Sequence, residues 1–186
     1  MKAINALHNT IVAAIVAIFL CASAVSAQTA ALDDLFDRLP AAEAREADKI
    51  TREIWIEWSK SGSPSMDLLL ERGRDAMSAG MPDVAVEHLT ALIDHAPEFA
   101  EGWNARATAY FQTGDFGPSI SDIGHVLTLN PRHWGALSGL GMIFEQLEQP
   151  KKALDVYRAA LAINPHLNDV KESVERLEKT VAGQDL

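Results

Sequence analysis

The apolar residues of this chain fall at helical spacing, in sets that recur along its length. Leu69, Gly73 and Ala76 form one set, Trp103, Ala107 and Tyr110 a second, and Leu137, Gly141 and Phe144 a third. Offsets of four and three place each set on one helix face, with a small residue at its centre. A further helix follows each set. Its stripe is Ala85, Leu89 and Leu92, then Ser119, Ile123 and Val126, then Ala153, Tyr157 and Ala160. The small residue in the first helix lets the second come close, so the pattern predicts antiparallel helix pairs. Pro97, Pro131 and Pro165 punctuate the pairs at intervals of 34 residues. A period of that length marks a solenoid of stacked helix pairs, and the fold class is all-α.

The turns fit these pairs. Gly80 and Gly114 stand where a first helix should end in a left-handed residue. Pro82, Pro118 and Pro150 stand near the start of each second helix, where a missing N–H costs little. Asn130-Pro131 and Asn164-Pro165 break the second helix before the next pair.

Residues 100–133 carry Trp103, Ala107, Tyr110, Gly114, Ile123 and Pro131. Residues 134–167 carry Leu137, Leu140, Gly141, Phe144, Ala153, Tyr157, Ala160 and Pro165. Residues 66–99 keep Gly73, Gly80, Ala85 and Pro97, with Ala76 in an aromatic's place and Arg72 in an apolar residue's place. This pattern resembles the tetratricopeptide repeat (TPR) family. The resemblance implies three units, 66–99, 100–133 and 134–167, within a domain spanning 65–167 that forms a right-handed solenoid. Two positions depart from the family: Ser119 replaces the usual alanine, and Glu148 replaces the glycine that commonly ends the first helix.

One period earlier, Thr51, Trp55 and Trp58 occupy second-helix columns, while Pro40 cuts short a first helix containing Leu35 and Leu39. Residues 28–64 therefore read as a degenerate N-terminal helix pair, with its second helix from about Glu43 to Lys60. A terminal unit has one neighbour only, so Trp55 and Trp58 are expected to cover the open face of unit 66–99. At the other end, Val170, Val174, Leu177 and Val181 space as a capping helix over 168–182 with charges elsewhere. Residues 183–186 read as a disordered tail.

Residues 1–27 form a separate segment. Lys2 precedes an apolar run from Ile11 to Leu20, and small residues from Ala22 to Ala27 follow. That is a signal peptide pattern with its cut after Ala27, which predicts a periplasmic or secreted protein. The apolar run is short for a membrane span of about 20 residues, but an uncleaved N-terminal anchor is the alternative. Cys21 is the sole cysteine and would leave with the signal, so the exported chain would hold no disulfide or thiol chemistry. A cysteine-free exported helical domain suits a bacterial periplasm.

The net charge is −10, and removing residues 1–27 takes one lysine and no carboxylate, leaving −11. Such a charge argues against nucleic acid and against anionic lipid as partners, and no membrane insertion is expected after cleavage. Reactive motifs are missing: no HExxH, GxSxG, P-loop or GxGxxG pattern occurs. His88, His95, His125, His133 and His166 have no second ligand at helical spacing and read as structural or solvent-facing. No metal, cofactor or catalytic group is expected.

Function then falls to the surface that the repeats create. In the family that the chain resembles, the first helix of each unit lines a concave groove that holds a partner segment. Carried over by column, the groove candidates are Leu70, Arg74 and Met77, then Glu101, Asn104, Thr108 and Phe111, then Ser138, Met142 and Glu145. Asp67, Gly135, Asp169, Glu172 and Arg176 lie in neighbouring groove positions. Some family members clamp a C-terminal carboxylate with lysines and asparagines here; this chain has Asn104 but no lysine beside it, which disfavours a clamp. Phe111 and Met142 beside Glu101 and Glu145 point to an apolar partner segment with a basic flank. Trp134 is expected to pack structurally. The reading is a non-catalytic scaffold or assembly factor that binds a protein or peptide. Its alternatives are an accessory domain or enzyme with a polar site in the groove, or a binder of a glycan or a cationic small ligand; the oligomeric state is open.

Overall fold

A computed structural model describes residues 30–184, with side chains described as far as Ala182. The expected signal segment and its cut after Ala27 lie outside the described residues. Those residues form helices only: α1 (30–38), a short 3-10 turn Leu39–Ala41, α2 (Ala44–Trp58), α3 (Pro64–Ser78), α4 (Pro82–His95), α5 (Ala100–Thr113), α6 (Phe116–Leu129), α7 (Trp134–Gln146), α8 (Pro150–Ile163) and α9 (Asn168–Gln184). None is long and apolar enough to cross a membrane. Proline occupies the first turn of α3, α4 and α8, where its fixed φ favours helix entry.

Helices α3 to α8 stack as three antiparallel pairs, and α9 closes the last. The small central residue decides how closely each pair packs. A Cβ on Gly73 would lie 2.6 Å from Leu89 Cγ, and one on Gly141 would collide with the Tyr157 ring. In the middle pair Ala107 fills that place. There the Ser119 hydroxyl, in the position usual for alanine, donates to the Ala107 carbonyl oxygen at 2.7 Å. The buried hydroxyl is thus satisfied without disturbing the helix contact.

All three first helices end alike. Met81, Asp115 and Gln149 N–H groups donate back to Ala76, Tyr110 and Phe144 carbonyls, across a left-handed residue. That residue is Gly80 (φ 73°), Gly114 (φ 82°) and, in the third unit, Glu148 (φ 55°). The glutamate's Cβ makes this conformation unfavourable, but the Gln149 bond and that from the Glu148 N–H to the Glu145 carbonyl hold it.

The N-terminal pair goes elsewhere than expected. Trp55 and Trp58 do not cover unit 66–99. They pack on the start of α7: Trp58 stacks on His133 at 4.2 Å and lies 4.5 Å from the Trp134 ring. Trp55 meets His133 and Trp134 edge-on. Leu35, Phe36, Leu39, Ile50 and Ile54 complete this core with Trp134 and Ala160. Asp33 pairs with Arg132, and His166 Nε2 lies 2.9 Å from the Leu39 carbonyl oxygen. The reason lies in the receiving surface. Trp134 offers an aromatic face, and Gly135 leaves a slot, since a Cβ there would lie 2.7 Å from Trp55. The edge of α3 offers instead the charged Arg72 and Asp75.

Replacing Glu148 with glycine removes the steric penalty of the left-handed turn. The expected result is a gain of about 1 kcal/mol, read as a higher urea midpoint at unchanged slope. No gain would show that the turn carries no strain.

Candidate functional site

The concave side is built from α3, α5 and α7, and the predicted groove residues divide there into distinct groups. Leu70 is only 2% exposed and belongs to the core of the first pair with Leu89, Leu92, Ala105 and Ala109. Glu101 is 3% exposed. Neither can line an open groove, which corrects the column reading at both positions. The small side chains Ala105 and Ala109 let Leu70 sink between α3 and α5. Met77 is half-buried at the edge of the same core.

Glu101 is the centre of a buried network. Its Oε1 accepts from Arg74 Nη2 at 2.5 Å, and Arg74 also donates to Ser59 Oγ at 3.1 Å. Asn104 Nδ2 donates to the same carboxylate at 3.2 Å. On the other side, Glu101 Oε2 lies 3.0 Å from His133 Nε2. His133 Nδ1 accepts the Ala136 N–H at 3.0 Å, capping α7. Nδ1 therefore carries no proton, and Nε2 carries the hydrogen given to Glu101. The ring is fully buried, with both nitrogens satisfied and one face against Trp58. The sequence reading of His133 as structural or solvent-facing left its partners unnamed; it is structural, the joint between hairpin, second unit and third unit.

Glu145, at the far end of the predicted groove, is also engaged. Arg176 of α9 grips both its oxygens, at 2.6 and 3.1 Å. The Tyr157 hydroxyl donates to Oε1 at 2.9 Å. Arg176 holds the Glu145 carboxyl below its usual pKa; burial opposes this and the Tyr157 hydrogen bond assists. Burial, then the Glu145 carboxylate, push the phenol's pKa up, so Tyr157 remains a donor. With Glu101 and Glu145 both held by arginines, the expected basic flank of a partner loses the two carboxylates on which it rested.

One open part of the concave side is a cavity of about 200 Å³ between α5 and α7, floored by α6. Asn104, Thr108, Phe111, Ser138 and Met142 line it, five of the predicted groove residues. Sequence reasoning read Ala107 and Ile123 as helix packing only and did not assign Gly139 or Ile143 to the groove, yet all four line the cavity. The signal was present in Gly135 and Gly139, small residues four apart on one face of α7. A Cβ on Gly139 would meet nothing nearer than Ile123 Cδ1 at 4.0 Å, so this glycine opens a hollow and does not admit a helix. Met142 is 46% exposed at the rim, and Phe111 leans on Phe116 with ring centres 5.8 Å apart.

No charged residue lines the cavity. Its hydroxyls are turned inward: Thr108 donates to the Asn104 carbonyl, Ser138 to the Trp134 carbonyl and Ser119 to that of Ala107. None is paired with a base that would make it a nucleophile. Among the described residues no group of three or more His, Cys, Asp or Glu is placed to hold a metal ion. The arrangement suits enclosure of an apolar group, with the free side of the Asn104 amide as the polar contact.

The sequence comparisons agree with this architecture. Two tetratricopeptide repeat models match residues 70–124 and 134–167. A TPR repeat-containing protein of Rhizobium etli is 37% identical over 155 residues, 82% of this chain and 75% of that one. The chain belongs to the tetratricopeptide repeat family. Hsp70-Hsp90 organizing protein 1 of Glycine max is 24% identical over 143 residues, 74% of this chain but 25% of that protein. Among solved structures, the first TPR of Spaghetti (RPAP3) bound to HSP90 peptide SRMEEVD matches the fold with a TM-score of 0.60 at 24% identity. That match covers 63% of this chain and 93% of the other.

Because the Glu145 carboxyl is more acidic in the folded chain than in the unfolded one, its pairing stabilises the fold above the ordinary carboxylate pKa. The contribution fades as pH falls through the lowered value. Glu145→Gln should therefore flatten the loss of stability between about pH 5 and pH 3, measured by urea unfolding across that range. An unchanged acid limb would remove Glu145 from the account.

Proposed function

We propose that the chain is a non-catalytic interaction module that takes an apolar side chain of a protein or peptide partner into the cavity between α5 and α7. The observation that carries this reading is the cavity itself: neutral, apolar, about 200 Å³, and opened by Gly139 on the concave side of the repeats. A hollow that size holds one bulky side chain with no room for a drug-sized ligand. The RPAP3 domain with its bound peptide supports the choice of a peptide over a small molecule. The inward-turned hydroxyls support a role without chemistry of its own.

Gly139→Val fills the hollow from within. It meets no backbone, and it replaces a helix-weakening residue, so folding should survive. A displayed peptide library panned on the wild-type protein should return segments with a bulky apolar residue in common. Their affinity should fall about tenfold or more for the valine variant and for Met142→Asp, with helicity unchanged. Equal affinity for all three proteins would overturn the site.

We further propose that the protein is exported, most simply to a bacterial periplasm. The support is the run from Ile11 to Leu20 followed by small residues to Ala27. Mass measurement of the protein recovered from its native cells should give a mature N-terminus at Gln28. An intact Met1 in a membrane fraction would favour the anchor, and one in the cytosol would refute export.

A further inference from the structure

Each unit turns a fixed set of positions toward the unit before it. In the second unit these are Gly102, Arg106 and Ala109; in the third, Ala136, Leu140 and Ile143. Gly102 lies against Leu92 and Ile93 of α4, and Arg106 donates to Thr90 of α4. Ala109, Ala136 and Ile143 are buried. The same positions in the first unit are Leu68, Arg72 and Asp75, and all three are exposed, Leu68 by 45%. The hairpin that precedes them in the chain is docked on α7, so no described residue fills this seam.

The neighbouring surface is apolar where three of its four counterparts are polar. Met81 and Val84 are exposed at the turn into α4. The corresponding residues are Asp115 and Pro118 in the second unit, and Gln149 and Lys152 in the third. Glu71, in the column of the buried Ala105, is exposed there too, so Leu68, Met81 and Val84 surround an unfilled solenoid end bearing one cation and two anions. Neither Arg72 nor Asp75 has an ion-pair partner among the described residues.

We propose that this seam is a two-fold interface between two copies of the chain. Charge selects the occupant. Laid antiparallel about an axis between Gly73 and Arg74, α3 brings Arg72 opposite the partner subunit's Asp75, and Asp75 opposite the partner subunit's Arg72. The same register sets Leu68 opposite the partner subunit's Ala79. A head-to-tail neighbour would instead present α9, whose exposed residues include Lys171, Glu172, Glu175, Glu178 and Lys179. The large apolar residues of α9, Val170, Val174 and Leu177, pack into the core of the last pair, so that face offers Leu68 and Met81 mainly charge. A two-fold contact also closes on itself, with no further growth.

The test is sedimentation equilibrium of the purified chain and of Arg72→Asp, Asp75→Arg and the double exchange, each checked for unchanged helicity. The wild type should be a dimer. Either single reversal sets like charges opposite each other twice per dimer and should raise the dissociation constant about tenfold or more. The double exchange should restore it. An equimolar mixture of the two single variants should form heterodimers, because each then meets its opposite. A wild type monomeric at every soluble concentration overturns the proposal. So does self-association that the single reversals leave unchanged, or that neither the double exchange nor the mixture restores.

Discussion

Much of the structure hangs on the contact between Trp58 and His133. The imidazole caps α7 with one nitrogen, donates to Glu101 with the other and offers a flat face to the indole. Glu101 in turn accepts from Arg74, which holds Ser59 at the end of α2. The circuit therefore begins and ends in the hairpin and crosses all three first helices of the array. Removing His133 or Arg74 would leave the buried Glu101 carboxylate short of a partner, at a cost that solvent reduces on the side of Arg74, whose side chain is 39% exposed. The circuit fixes where the hairpin lies, which part of the concave side stays open and which end of the stack is left uncovered.

Small residues do three different jobs in the third unit, though they look alike in the sequence. Gly141 admits the Tyr157 ring and so sets the spacing of α7 and α8. Gly135 admits Trp55 and so seats the hairpin. Gly139 admits no other part of the chain, and the result is the cavity. A missing side chain is informative only once its neighbour is known.

That explains how much of the molecule was legible beforehand. The stack was legible because helical spacing and a 34-residue period act locally. The strained turn at Glu148 could be named in advance, since only the backbone decides it. Phe111, Met142, Asn104, Thr108 and Ser138, which the columns set on the concave side, line one cavity. Leu70 and Glu101 were misjudged because the columns say which way a residue points, and not what lies opposite. For Leu70 it was small alanines on α5; for Glu101 it was Arg74 and His133. The docking of Trp55 and Trp58 was illegible for the same reason. Nearest-neighbour logic placed them on the adjacent unit, whereas complementarity with Trp134 and Gly135 draws them past it.

The hairpin's distant anchorage changes what kind of object this array is. A plain repeat protein can be read as a row of tiles, each supported by the next, and can assemble from any point. Here Asp33 reaches Arg132 and Leu39 reaches His166, so the first of the described helices rest on the far part of the array. During synthesis Phe36, Trp55 and Trp58 have no surface to settle on until the ribosome has released the third unit. Until then these three side chains lack the Trp134 and Ala160 surface that covers them in the folded chain.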